Sequence, residues 1–188
     1  MPADWSRIAR RIRVPMGFVF AGVYIWLAHP TFVSMEWSLL LVLPGLWLRG
    51  YAAGYVKKNA ELTMTGPYAH TRNPLYLGSM LIAFGFSAAS RSIVIVLLLA
   101  ALFAVIYIPV IRSEESFLRS KFADFDAYAA SVPRLLPRLR PARIAAGQPE
   151  TAAGSFSFPL YRKHREYNAL MGATAIYAVL ALRIVFKN

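Results

Sequence analysis

Cysteine is absent from all 188 residues, which excludes disulfides, thiolate nucleophiles and cysteine-ligated metals. Histidine is nearly absent too: His29, His70 and His164 lie far apart and form no paired motif such as HExxH, so no metal site is expected. They read as polar residues rather than metal ligands. Acidic residues number 9 against 21 Lys and Arg. No Gly-rich dinucleotide fingerprint occurs. Charge is scarce overall, at 16% of residues, while 57% are hydrophobic and 14% aromatic. A soluble domain of this size would expose much of that apolar surface to water. The net charge of +12 is therefore read as basic loops between apolar runs that meet lipid head groups, not as a nucleic-acid surface.

The apolar runs are the first thing present in abundance. A helix crossing a hydrocarbon core of roughly 30 Å needs about twenty residues. Segments of that kind run from about Val14 to Val33, Trp37 to Tyr55, Ser92 to Ile111 and Ala169 to Phe186. A shorter one, from Leu75 to Ala89, carries Gly78 and Gly85 and is expected to span with help from its neighbours. Arg7, Arg10, Arg11 and Arg13 precede the first run, but the run is long and no small-residue cleavage site follows, so a retained helix is expected. With the N-terminus inside, every Lys and Arg except Arg91, Arg183 and Lys187 falls on the cytoplasmic side. The expected fold is all-α: one domain over residues 1–188, a transmembrane bundle of about five spans, with its cofactor pocket in cytoplasmic loops. The turns at His29 to Glu36 and Ser90 to Arg91 leave no room for an external domain.

Two cytoplasmic segments have room for chemistry, Val56 to Pro74 and Arg112 to Asn168. In the second, Leu118, Phe122, Phe125, Ala129 and Val132 recur at helical steps and predict an amphipathic helix continuing the fourth span or lying on the membrane surface. Pro133, Pro137 and Pro141 then break the chain, and Ala145 to Ser157 reads as a flexible loop.

The densest motif is Gly66-Pro67-Tyr68-Ala69-His70-Thr71-Arg72-Asn73-Pro74-Leu75-Tyr76-Leu77-Gly78. It predicts a tight Gly-Pro turn, and a helix beginning at Pro74 with Arg72 beside its N-terminus, an arrangement suited to an anion. The second motif is Arg112-Ser113-Glu114-Glu115, followed by Leu118, Phe122, Tyr128 and Val132-Pro133-Arg134-Leu135-Leu136-Pro137. Taken alone, each allows a plainer role: interfacial anchors for the first, solvated carboxylates for the second.

Together the two motifs resemble the isoprenylcysteine carboxyl methyltransferase family, related to the membrane phospholipid N-methyltransferases. The pattern GPYxxxRHPxYxG, then RxEExxLxxxFGxxYxxYxxxVPRxxP, is matched in order over about residues 66–137. Asn73 stands where the family usually has His, Ala123 replaces a Gly, and the stretch from Phe122 to Tyr128 is one residue short. Arg162 to Asn168 opens the last apolar run much as an Arg-Glu pair does in family members, so that motif residues also occur within 161–168.

The resemblance implies an S-adenosylmethionine-dependent methyltransferase acting on a lipophilic or lipidated substrate. It implies a cofactor site drawn from Tyr68, His70, Arg72, Asn73, Pro74, Tyr76, Glu115, Tyr128, Val132, Arg134 and Leu135. Arg72 or Arg134 would hold the cofactor carboxylate, and Glu115 or Glu166 its ammonium or ribose hydroxyls. Tyr68, Tyr76 or Tyr128 would stack on adenine or face the sulfonium. Arg165 and Glu166 are the expected catalytic pair, Arg165 clamping a carboxylate acceptor or Glu166 serving as base for an amine. An NADPH-dependent membrane reductase with a similar helical core and a non-enzymatic membrane protein are the competing expectations. The Ala- and Arg-rich usage points to a bacterial inner membrane; in a eukaryote the endoplasmic reticulum would take its place.

Overall fold

The computed structural model describes residues 3–57, 60–142 and 154–187. Among these, all regular structure is helical: α1 (Ala3–Leu27), α2 (Phe32–Ala53), a 3-10 turn (Gly66–Ala69), α3 (Pro74–Ser90), α4 (Ile93–Leu102), a π turn (Phe103–Tyr107), α5 (Ile108–Lys121), α6 (Phe125–Ser131), α7 (Phe158–Lys163) and α8 (Tyr167–Lys187). Each expected apolar run is helical over most of its length. Three helices are long and apolar enough to cross a membrane, Phe32–Ala53, Ile93–Lys121 and Tyr167–Phe186, while Pro15–Leu27 and Pro74–Ser90 are shorter apolar helices. The protein is an integral membrane protein.

Some boundaries differ from expectation. The first apolar run ends at Leu27 and α2 already starts at Phe32, since Thr31 and Ser34 bond each other's backbone N–H and open the helix there. The helix Ile93–Lys121 has 29 residues, or about 43 Å at ~1.5 Å per residue, so its last turns extend past a hydrocarbon core of ~30 Å. The amphipathic pattern that follows is not one helix. It breaks at Phe122–Asp124, where Asp124 occupies the N-cap position of α6, a place Asp favours over a helix interior. Of the expected loop, residues 145–153 lie outside the described residues. Ser157 instead caps α7, its hydroxyl accepting from the Leu160 N–H.

The chain divides into two compact units, one of Met1–Val42, Ile82–Ser116 and Ala173–Asn188, the other of Leu43–Leu81 and Phe117–Gly172. In the first, α1 packs on α4 and the π turn, and polar side chains tie helix backbones together. The Tyr24 hydroxyl donates to the Phe86 carbonyl at 2.9 Å, Ser34 Oγ donates to the Ala89 carbonyl at 2.9 Å, and the Ser38 and Tyr177 hydroxyls bond at 2.6 Å. Outward-facing residues are apolar, with Phe18, Trp26, Leu40 and Leu97 all exposed. That is the pattern expected when the solvent is lipid: apolar contact no longer drives helices together, and hydrogen bonds with close approach must do so.

Gly85 provides such an approach. A Cβ there would lie 2.5 Å from Val42 Cγ2 and 3.0 Å from the Ser38 carbonyl oxygen. Gly85→Ala should cost about 1–3 kcal/mol by overpacking and lower the thermal midpoint in detergent by about 2–4 °C per kcal/mol. Gly22→Ala, whose Cβ meets nothing within 4 Å, should leave the midpoint unchanged or raised. Circular dichroism melts of both variants check this.

Candidate functional site

The second unit is built around the first motif and the part of the second from Leu118 onward, while Arg112 to Glu115 fall in the first unit. Gly66 takes a left-handed φ of +58°, open to glycine without strain, and turns the chain into Pro67-Tyr68-Ala69. From there residues 69–73 run alongside 133–142. The Arg72 N–H donates to the Pro133 carbonyl, Arg138 N–H to His70, and Ala142 N–H to Ala69, each at 2.9 Å. Side chains reinforce the seam. Thr71 Oγ1 and Asn73 Nδ2 both donate to the Arg134 carbonyl, at 3.2 and 3.0 Å, and His70 Nδ1 donates to the Arg138 carbonyl at 2.7 Å. The Tyr128 hydroxyl donates to the Tyr68 carbonyl at 2.8 Å.

These bonds define what each expected site residue does locally. Tyr128 and Val132 are buried with Phe125 in a cluster that Leu62, Met64, Leu118 and Phe122 surround, so the apolar positions of the broken amphipathic pattern still converge. His70 and Asn73 use their polar side chains within the seam. Pro74 is buried at the first position of α3. Arg72 and Tyr76 are half-buried, Leu135 is half-buried and Arg134 is exposed, all in the same unit. Glu115 is buried, at 6% exposure, and belongs to the first unit.

A further group of residues in the same unit as the first motif meets the helix that motif opens. Arg49, in the last turns of α2, makes a bidentate ion pair with Glu166: Nε to Oε2 and Nη2 to Oε1, both 3.0 Å. Its Nη1 donates to Ser79 Oγ in the first turns of α3. Gly78 of the first motif makes room for this. A Cβ there would lie 2.7 Å from Arg49 Cγ and 2.8 Å from the Gly45 carbonyl oxygen. Sequence reasoning found Gly78 and Glu166 but not Arg49, which sits inside an apolar run with no motif around it. Its one signal is being a lone cation near the end of that run, where intramembrane ionisable residues tend to be functional. The neighbouring Arg165, also of the expected pair, is exposed and takes a left-handed φ of 52° in the turn between α7 and α8. His164, expected as an exposed polar residue, is half-buried and bonds the Val56 carbonyl through Nε2 at 3.0 Å.

Glu166 borders a cavity of about 610 Å³ lined by Leu46, Trp47, Gly50, Tyr51, Phe156, Phe158, Tyr161 and Leu170. The Trp47 and Tyr51 rings stack at 5.1 Å between centroids, and Tyr51 lies parallel to Phe156 at 6.2 Å. Phe156 lies against Gly54, whose carbonyl accepts the Ser157 N–H. Beside the cavity, the Tyr55 phenol is raised above its ordinary pKa, first by its hydrogen bond to Tyr51 and then by burial. The volume suits a drug-sized organic ligand, and the lining is mostly apolar with one carboxylate. Among the described residues no three His, Asp or Glu gather as a cation site.

The phospholipid methyltransferase family model matches residues 23–124, more than half of the chain. At 42% identity over 107 residues the chain is similar to the nickel-cobalt-cadmium resistance protein NccN of Alcaligenes xylosoxydans xylosoxydans, covering 57% of this chain and 49% of that one. It is 40% identical over 94 residues to the cobalt-zinc-cadmium resistance protein CzcN of Cupriavidus metallidurans, covering 50% and 43%. The chain thus spans about half the length of the curated relatives it matches. No solved structure matches it. The matched region contains the whole Gly66–Gly78 motif, Arg49 and Glu114-Glu115, and the chain belongs to the phospholipid methyltransferase family, a family of membrane methyltransferases.

Proposed function

We propose that this protein transfers a methyl group from S-adenosylmethionine to a lipophilic acceptor at the cytoplasmic side of the membrane. The observation that supports this most is the assembly of the second unit. There the first motif is hydrogen-bonded to the Tyr128–Pro137 end of the second, and the same unit carries the Arg49–Glu166 pair at the edge of an aromatic cavity.

The residues present fit the cofactor's chemistry. Arg72 and Arg134 come from the two sides of the seam, and both suit the carboxylate of its amino acid end. Tyr76, half-buried, supplies a ring for adenine, whereas the Tyr68 ring is itself buried. When bound, the cofactor supplies a methyl group on a cationic sulfur that leaves as a neutral thioether. What the chain must add is alignment and the exclusion of water.

The apolar body of the acceptor fits the cavity of Trp47, Tyr51, Phe156, Phe158 and Tyr161, which lies on a unit rich in exposed aromatic surface, with Trp47 66% and Phe158 59% exposed. An acceptor entering from the lipid need not cross water. If the acceptor is an amine, Glu166 takes its proton. A carboxylate acceptor arrives ionised and needs a cation, for which the exposed Arg165 is next in the chain. The cytoplasmic placement rests on the distribution of Lys and Arg, which leaves only Arg91, Arg183 and Lys187 outside.

Arg49 acts here as the positioning residue for Glu166. With side chains 25% and 11% exposed, the pair is largely desolvated, and deleting one partner strands the other at a cost of about 1–3 kcal/mol or more.

Two tests follow from this reading. In calorimetric titrations of the detergent-purified chain, S-adenosylmethionine and its demethylated product should each bind saturably, and NADPH should not. Arg72→Ala should weaken both by roughly tenfold or more, as loss of a charged hydrogen bond does. Binding of NADPH alone would replace the methyltransferase reading with a reductase. In the second test, with a lipid acceptor in hand, Arg49→Ala should lower kcat on the order of a hundredfold, the scale of a misplaced catalytic group. Arg49→Lys should recover part of it, and the Arg49→Ala/Glu166→Ala pair should cost little more than either alone. Additive losses would separate Arg49 from Glu166.

A further inference from the structure

The first unit carries a second cavity, of about 400 Å³, lined by His29, Pro30, Thr31, Phe32, Arg91, Arg183 and Ile184. We propose that it is a phosphate-binding site, with the headgroup phosphate of a membrane phospholipid as its occupant. The argument begins with charge. Of the three basic residues placed outside by the Lys and Arg distribution, two, Arg91 and Arg183, border this one cavity. Two guanidinium groups around one space repel each other unless an anion lies between them, and their forked donors match phosphate oxygens.

The donors are not consumed elsewhere. Arg183 gives one hydrogen bond, from Nη2 to the Trp26 carbonyl at 3.1 Å. Its Nε is buried and bonds no acceptor among the described residues. A buried N–H left without an acceptor is costly, and a phosphate oxygen would relieve it. Arg91 holds a left-handed φ of 54°, strain that a non-glycine residue sustains only where its surroundings enforce it. They do so here. The His29 N–H bonds the Ser90 carbonyl and Ser34 Oγ the Ala89 carbonyl, each at 2.9 Å, so the turn between α3 and α4 is stapled to the turn between α1 and α2.

The location selects a lipid. α1 ends at Leu27, α2 begins at Phe32, α3 ends at Ser90 and α4 begins at Ile93, so the cavity sits where apolar helices stop. Trp26 and Phe32 beside it are exposed, as interfacial aromatics are. That is the level of lipid head groups, and acyl chains would then run down apolar helix faces.

Native mass spectrometry of the delipidated full chain in detergent tests this with three probes: phosphatidylglycerol, diacylglycerol with the same tails, and inorganic phosphate. The expected result is a saturable adduct with phosphatidylglycerol and none with diacylglycerol. Arg183→Gln should weaken that adduct by about tenfold or more. Arg91→Gly removes the other cation while relieving the left-handed strain, so it should lose the adduct with its melting midpoint unchanged or raised. Inorganic phosphate binding with the same dependence on both arginines, and no lipid adduct, would keep the phosphate site but overturn the lipid as its occupant. Equal adducts with diacylglycerol, or adducts indifferent to both substitutions, would overturn the site.

Discussion

The seam between residues 69–73 and 133–142 is the constraint on which the second unit depends. Backbone bonds from Arg72 to Pro133, Arg138 to His70 and Ala142 to Ala69 bring together residues 61 to 73 positions apart in sequence. Closing such a loop costs entropy that grows only slowly with its length, and this one is stabilised from both ends. The Phe125–Tyr128–Val132 cluster buries apolar surface beneath it, and the Tyr128 hydroxyl ties that cluster back to Tyr68. The prolines contribute by what they lack. Pro133 and Pro137 cannot continue a helix, so the chain after α6 is free to run as a non-helical strap whose backbone groups bond the first motif.

A second requirement comes from the solvent. In a chain whose outward faces are Trp, Phe and Leu, apolar burial distinguishes the inside from the outside only weakly, and specificity passes to polar contacts and close approach. Both units show this. Ser38 with Tyr177 and Tyr24 with Phe86 do it in one, and Arg49 with Glu166 and Ser79 in the other. Gly85 and Gly78 lie seven residues apart on α3 and each admits a neighbouring helix. A buried ion pair is weak evidence for stability, because desolvation offsets its attraction. Its better-supported use is to fix one arrangement, and Arg49 fixes the carboxylate at the rim of the aromatic cavity.

Much of this was legible in the residues. Apolar runs of membrane length, the helix starting at Pro74 and the pairing of the two motifs follow from composition, proline chemistry and a family pattern spread over two separated segments. What escaped was set by contacts distant in sequence. Arg49 sits in an apolar run and becomes meaningful only beside Glu166, more than a hundred residues later. The periodicity through Leu118, Phe122, Phe125, Ala129 and Val132 predicts one helix, because an apolar set that converges on one cluster looks the same whether or not the helix breaks at Asp124. α7 is six residues long, too short to register as a periodic pattern. The half-burial of His164 has no sequence signature either, because the Val56 carbonyl it meets lies more than a hundred residues away.

Asn73, the departure from the family pattern closest to the expected chemistry, is where these constraints meet. Its backbone carbonyl accepts the Leu77 N–H and so opens α3, while its side-chain amide donates to the Arg134 carbonyl, which also receives Thr71. A carbonyl oxygen has two lone pairs, and both are used. A histidine at this position has one ring N–H that can make the same donation, with the other nitrogen left to titrate or to accept. The amide reproduces the donation and omits the titration. The requirement that residue 73 meets is thus a donor to the second motif rather than a base, and the reaction we propose draws its proton acceptor from outside the seam.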